Sequence, residues 1–228
     1  GTLLALAGTL IQRVTGNPMA SPEVVGISGG TAIGLIGVVM FVPGVGLPML
    51  LIAGTLSALA TLGVLLLINR RSGFQPERVL LTGIAITALF DPLRSIVLAN
   101  GDPRTQQLLA WMSGSTYYVD TVLAVAVAAS AVILTLAMQS LSRWLDLLPM
   151  GNSSARALGV NVDRARLALL GVVALLTAAA TLVVGPLSFV GLLAPHMARL
   201  LGAARARAHL LAAALLGALL MVLADWLG

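Results

Sequence analysis

The chain has no cysteine, no lysine and little charge of either sign: 9% of its 228 residues are charged. Without cysteine there is neither a disulfide nor a thiolate metal site. Without lysine there is no glycine-rich phosphate loop ending in Lys-Ser or Lys-Thr, so this chain does not hydrolyse ATP in that way. A soluble domain carries about 25% charged residues. The polar surface here is too small to hold the chain in water, so lipid must be its main solvent. His196 and His209 have no further metal-type ligand near them in sequence, which argues against iron ligation. Neither a nucleophile–base pair nor a metal triad marks an intramembrane enzyme.

What the chain does have is apolar length. Hydrophobic residues make up 59% of it, and its mean hydropathy is +1.04. The runs are continuous and rich in Ala, Leu and Val. That predicts helices rather than the two-residue alternation of a barrel. Eight spans are expected, near Thr2–Gln12, Val24–Val42, Leu47–Ile68, Val79–Ala99, Val119–Leu141, Leu167–Val184, Leu187–Leu201 and Leu210–Leu227. The first and seventh fall short of the roughly 20 residues that cross a bilayer. The expected fold is an all-α, polytopic transmembrane helix bundle. It reads as a single transmembrane domain over residues 1–228, truncated at both ends, because Gly1 already lies in an apolar segment. The first run lacks the basic leader of a signal peptide.

The net charge is +5, and all thirteen basic residues are arginines. They are scattered between apolar segments, which argues against nucleic acid as a partner. Eleven fall in or beside the links after spans one, three, five and seven; Arg94 and Arg104 fall on the opposite side. The positive-inside rule makes the arginine-rich side cytoplasmic.

Several local patterns stand out. In "GNPMASPEVVGISGG", Ser21, Pro22 and Glu23 predict the cap and first turn of span two. Gly26, Gly30 and Gly34, with Gly37 beyond, lie four or three apart on one helical face. Such a face serves close packing in lipid, or slides and lines a path when a bundle moves. The link from Ser142 to Arg166 predicts one or two short surface helices. Pro149 and Gly151 break the preceding span, Asn152, Ser153 or Ser154 caps "ARAL", Gly159 stops it, and Asn161 or Asp163 opens span six. This link is either a solvated loop or a docking element for a cytoplasmic partner. "FDPLR" sets Asp91 and Arg94 three apart on span four, beside Pro92. They pair with each other or face a water-filled vestibule. "PHMAR" predicts a helix break at Pro195 and a structural hydrogen bond from His196. "NGDPR", with Asp102 and Arg104, is a turn-like loop or a surface contact for an external partner.

Together "GNPMASPEVVGISGG", "ARALGV" and "GPLSFVGLLAPHMARLLG" resemble the FecCD/BtuC-like permeases of bacterial ABC importers for iron–siderophores and vitamin B12. "IQRVTGNPMASPEV" and "GDPR" before "WMSGSTY" resemble the C-terminal half of those members that carry hydroxamate siderophores. The resemblance implies about ten helices per permease unit, of which the eight spans would be the second to ninth. It implies no catalytic residue and no bound cofactor in this chain, with ATP held by a partner. The implied partners are a pair of cytoplasmic ATPase subunits, a periplasmic siderophore-binding protein, a second permease half and membrane lipid. The implied location is the bacterial inner membrane. By resemblance, "SSARALGV" is the ATPase-coupling helix, with Arg156 and Gly159 as main points and Ala155 and Ala157 as its close-packed surface. The cytoplasmic gate would lie near Gln75, Pro76 and Glu77. Asp225 belongs to a region that helps dock the binding protein. An ion-coupled secondary transporter is the rival from another class. It would favour acidic residues at mid-membrane, where Asp91 is the lone candidate.

Overall fold

The computed structural model describes residues 1–42, 44–69, 76–99, 111–112, 114 and 121–227. The helices in chain order are α1 (Thr2–Thr15), α2 (Ile27–Phe41), α3 (Leu47–Asn69), α4 (Pro76–Leu98), α5 (Thr121–Met138), α6 (Ser142–Leu147), α7 (Asn152–Ala157), α8 (Val162–Val184), α9 (Val190–Leu200) and α10 (Ala206–Leu227). The fold is all-α, as the apolar runs require. Each of the eight expected spans corresponds to one long or medium helix, and α6 and α7 occupy the long link. Among the described residues, four stretches are long and apolar enough to cross a membrane: 47–69, 124–150, 162–184 and 206–227. α1 and α2 are shorter apolar helices. α4 is 23 residues long and carries Glu77, Arg78, Asp91 and Arg94.

Two local features differ from expectation, each for a physical reason. α2 begins at Ile27 and not at the "SPE" seam. Gly26 has φ 82°, a left-handed conformation that a right-handed helix cannot contain, so residues 22–26 form turns instead. α9 runs unbroken through Pro195, where the sequence predicts a break. A proline inside a helix removes the donor to the carbonyl four residues back, here that of Gly191. That carbonyl packs against Gly8 of α1, where a Cβ would collide with it. The orphaned oxygen is covered by a glycine backbone, and the helix stays whole.

The chain forms two compact units. The first contains Gly1–Ser21, Val119–Leu176 and Phe189–Gly228. In it α1, α9 and α10 meet on small residues, with Ala5, Ala194, Ala198 and Ala213 as a buried cluster. The buried face of α10 is Ala206, His209, Leu210, Ala213, Ala214 and Gly217, repeating at three and four residues. Its outward face carries Leu211, Leu215, Leu219, Val222 and Trp226. Small residues inside and large ones outside suit a lipid solvent, where close backbone approach matters more than hiding apolar surface.

The second unit contains Pro22–Tyr118 and Thr177–Ser188. α2 and α3 form a helical hairpin. A Cβ on Gly30 would meet the Thr61 hydroxyl, and one on Gly34 the Ser57 hydroxyl. α4 closes on the turn before α2: a Cβ on Gly83 would come within 2.5 Å of the Val24 carbonyl and Val25 Cα. Ser28 and Thr181 hydroxyls lie 3.4 Å apart, and the Trp111 indole N–H donates to the Leu182 carbonyl at 3.2 Å.

Candidate functional site

The long link is built as structure. After α5, a 3-10 turn at Gln139–Leu141 leads into α6, and a second at Leu148–Met150 leads to Gly151. Gly151, at φ 96°, stands at the N-cap of α7, so the cap is a glycine and not Asn152, Ser153 or Ser154. α7 ends as expected at Gly159, which has φ 81°. The Val160 N–H donates to the Ala155 carbonyl at 3.0 Å and the Gly159 N–H to the Arg156 carbonyl at 2.9 Å. That is a Schellman closure. Asn161 then caps α8, its Oδ1 accepting the Arg164 N–H at 3.1 Å.

α7 presents two different faces. Ala155 is fully buried, whereas Arg156, Ala157 and Gly159 are exposed. Ala155 and Ala157, expected together on one contact surface, therefore lie on different faces of α7, and only Ala157 faces outward. Arg156 pairs with Asp163 at 3.4 Å, and both are well exposed.

The first unit also holds a buried polar cluster. Arg13, at the end of α1, is 9% exposed. Its Nε donates to His209 Nδ1 at 3.1 Å. Nη1 donates to the Leu145 carbonyl at 3.2 Å and to Asp146 Oδ1 at 3.1 Å. Nη2 donates to the Ala204 carbonyl at 2.6 Å. A guanidinium can only donate, so His209 Nδ1 accepts and its proton sits on Nε2, which donates to the Pro195 carbonyl at 2.8 Å. Asp146 Oδ1 also accepts the Ala206 N–H at 2.8 Å. An anion at the first turn of α10 suits the positive end of the helix dipole. Nearby, Arg199 Nη2 donates to Gln12 Oε1 at 3.1 Å, and Arg207 Nε to Ser142 Oγ at 3.3 Å. The cluster thus brings together the links after spans one, five and seven, three of the four expected to share the arginine-rich side.

The interhelical histidine bond expected of His196 is made instead by His209. His196 is exposed, while His209 lies within the first turn of α10 and not in the preceding link. Sequence reasoning treats Arg13 only as one charge among thirteen and misses Asp146 altogether. A signal is present: Asp146 is the lone acid between Asp120 and Asp163, and leucines flank it on both sides.

The remaining candidates are dispersed. Gly30 and Gly34 both face α3, but Gly26 faces Ile86 and the Gly83 carbonyl of α4, and Gly37 has open space around it. The glycines therefore meet two neighbours and not one. Of the gate candidates, Gln75 lies outside the described residues, Pro76 starts α4 and Glu77 is exposed in its first turn. Asp91 is exposed on α4, while the Arg94 side chain lies outside the description. Asp102 and Arg104 also lie outside the described residues. Asp225 is exposed in the last turn of α10.

Comparison with known proteins adds four findings. The FecCD transport family profile matches residues 1–228. The chain is 48% identical over 228 residues to an iron(3+)-hydroxamate import system permease protein of Salmonella typhimurium, covering all of this chain and 33% of that one. It is 34% identical over 231 residues to an Fe(3+) dicitrate transport system permease protein of Escherichia coli, covering all of this chain and 71% of that one. A solved structure described as an inward-facing conformation of a metal-chelate type ABC transporter superposes with a TM-score of 0.86 at 27% identity, covering 99% of this chain and 73% of the other. The chain spans about a third of the length of its hydroxamate-permease relatives.

Proposed function

This chain belongs to the FecCD transport family of inner-membrane permeases, and we propose that it is part of the membrane-spanning subunit of an ATP-driven importer of iron(III)-hydroxamate siderophores. The observation that carries the ATP-driven reading is α7, a short exposed helix closed by glycines at both ends and anchored through buried Ala155. A loop that only connects two spans needs no such construction. An ATPase subunit pair docks on the outer face of α7, around Arg156 and Ala157. ATP binding and hydrolysis on that partner shift the bundle between outward-open and inward-open populations. No bond in the cargo is made or broken. This chain holds no cofactor, and iron stays inside its chelator. A periplasmic binding protein delivers the cargo, and a second permease half completes the passage.

The identity to the hydroxamate permease, 48% against 34% for the dicitrate one, favours hydroxamate cargo. Another siderophore, haem or vitamin B12 is the alternative within the family. The full-length parent, expressed with its ATPase and binding protein in cells lacking their own siderophore permeases, tests both levels. Uptake of hydroxamate iron alone, lost with an ATPase-dead partner, is expected. ATPase-dependent uptake of a different cargo overturns the cargo. Uptake that survives the dead ATPase and collapses with the proton gradient establishes the secondary-transporter rival.

A further inference from the structure

The contacts between α1, α9 and α10 are smooth. Ala5, Ala194, Ala198 and Ala213 meet there, and Gly8 lies on the Gly191 carbonyl. Such surfaces attract through dispersion and set axial register only weakly. The polar cluster at one end is of another kind, because its bonds are directional and connect elements far apart in sequence. Arg13 brings in α1, and Asp146 and Leu145 bring in α6. Ala204, Ala206 and His209 bring in α10 with the turn before it, and Pro195 brings in α9.

Asp146 is the pivot. A single oxygen, Oδ1, holds both the Arg13 guanidinium and the first backbone N–H of α10, at 3.1 and 2.8 Å. The side chain is 46% exposed, so the pivot sits at the surface of the unit, while the Arg13 side chain it holds is 10% exposed. From Asp146 to the start of α7 the chain runs through the end of α6, the 3-10 turn with Pro149, and Gly151. Those few residues are helical apart from Gly151. Leu145, Leu148 and Ala155 are buried along the way.

We propose that Arg13 and Asp146 are positioning residues that clasp the root of the α7 segment to α1, α9 and α10, so that movement imposed on α7 is delivered to those three helices together. Neither residue touches cargo or nucleotide; they act through the helices they hold. The inference rests on the permease reading above and adds the route by which its energy enters the bundle.

The test uses the whole transporter, with parent permease, ATPase pair and binding protein, in proteoliposomes. ATP hydrolysed and labelled ferric hydroxamate taken up are measured in the same vesicles. Asp146→Asn keeps the size and one acceptor but loses the charge; Arg13→Lys keeps the charge but loses the fork. Both variants are expected to assemble and hydrolyse ATP within about twofold of the wild type, while cargo moved per ATP falls about tenfold, a size that coupling changes commonly reach. Asp146→Glu, which restores a carboxylate, recovers most of the ratio. If uptake and hydrolysis instead fall in step with the amount of folded complex, the cluster is a fold stabiliser and the proposal is wrong. An unchanged ratio in both variants also overturns it. A wild-type complex that hydrolyses ATP without moving any cargo overturns the permease reading itself, and this one with it.

Discussion

The two units use the same apolar alphabet but are fastened differently. In the first, side-chain hydrogen bonds tie together residues more than a hundred positions apart, and four of them come from one arginine. In the second, Ser28 and Thr181 also meet across the sequence, but around the α2–α3 hairpin the hydroxyls bond back to their own helix. Thr31 donates to Ile27, Ser57 to Ala53 and Thr61 to Ser57, each four residues back. These hydroxyls use their polarity locally and present only shape to the neighbouring helix, where Gly30 and Gly34 make room for Thr61 and Ser57. In lipid, apolar burial does little to select one helix partner over another. What remains is complementary shape or directional bonding, and each unit emphasises one of them.

Substitutions separate the two modes. The largest effect is expected at Gly8, where any Cβ meets the backbone carbonyl of Gly191, an atom that cannot rotate away. Gly8→Leu should leave almost no folded permease in the membrane fraction, measured by size-exclusion chromatography of the detergent extract. Next comes Arg13→Met, which removes the charge and leaves the acceptors at His209, Leu145 and Ala204 without this donor, the first two of them in buried bonds. A loss of about 3 kcal/mol is expected from stranding such partners, read by thermal unfolding in detergent.

In the second unit the effects are smaller and reversible by shape. Gly34→Ala should cost about 2 kcal/mol through overpacking against Ser57. Adding Ser57→Gly should recover more than half of that, because the obstacle is a side chain and not a backbone. Arg13→Met combined with Asp146→Leu should recover far less, since His209 and the carbonyls stay unmatched. Failure of the glycine swap, or full rescue of the arginine variant, would erase the distinction between the units. The smallest effect is at the exposed Arg156–Asp163 pair. Asp163→Asn should change stability by under about 0.5 kcal/mol, as surface pairs do. Arg156→Ala should weaken ATPase association in pull-down assays while leaving the permease folded.

Much of the fold is legible in the sequence because lipid imposes long, continuous apolar runs, and helices satisfy their own backbone there. The link is legible for local reasons: Gly159 ends α7, and Asn161 caps α8. What is not legible depends on single backbone angles or distant partners. Gly26 reads equally well as the first member of a glycine stripe or as a left-handed hinge, and only its φ of 82° separates the two. Pro195 reads as a break unless Gly8 is known to cover the carbonyl it orphans. His209 sits beside the arginines of a link in sequence, so its burial is invisible until Arg13 and Pro195 arrive from other helices.

The outward face of α10 has one more consequence. Leu211, Leu215, Leu219 and Val222 offer a neighbour nothing that an acyl chain does not also offer. Exchanging lipid for protein along this helix is therefore close to neutral in transfer free energy. Any neighbour that settles there must win by fit, and its occupancy will follow the thickness and packing of the surrounding bilayer. The membrane itself competes for this side of the molecule, and its composition becomes a control on assembly.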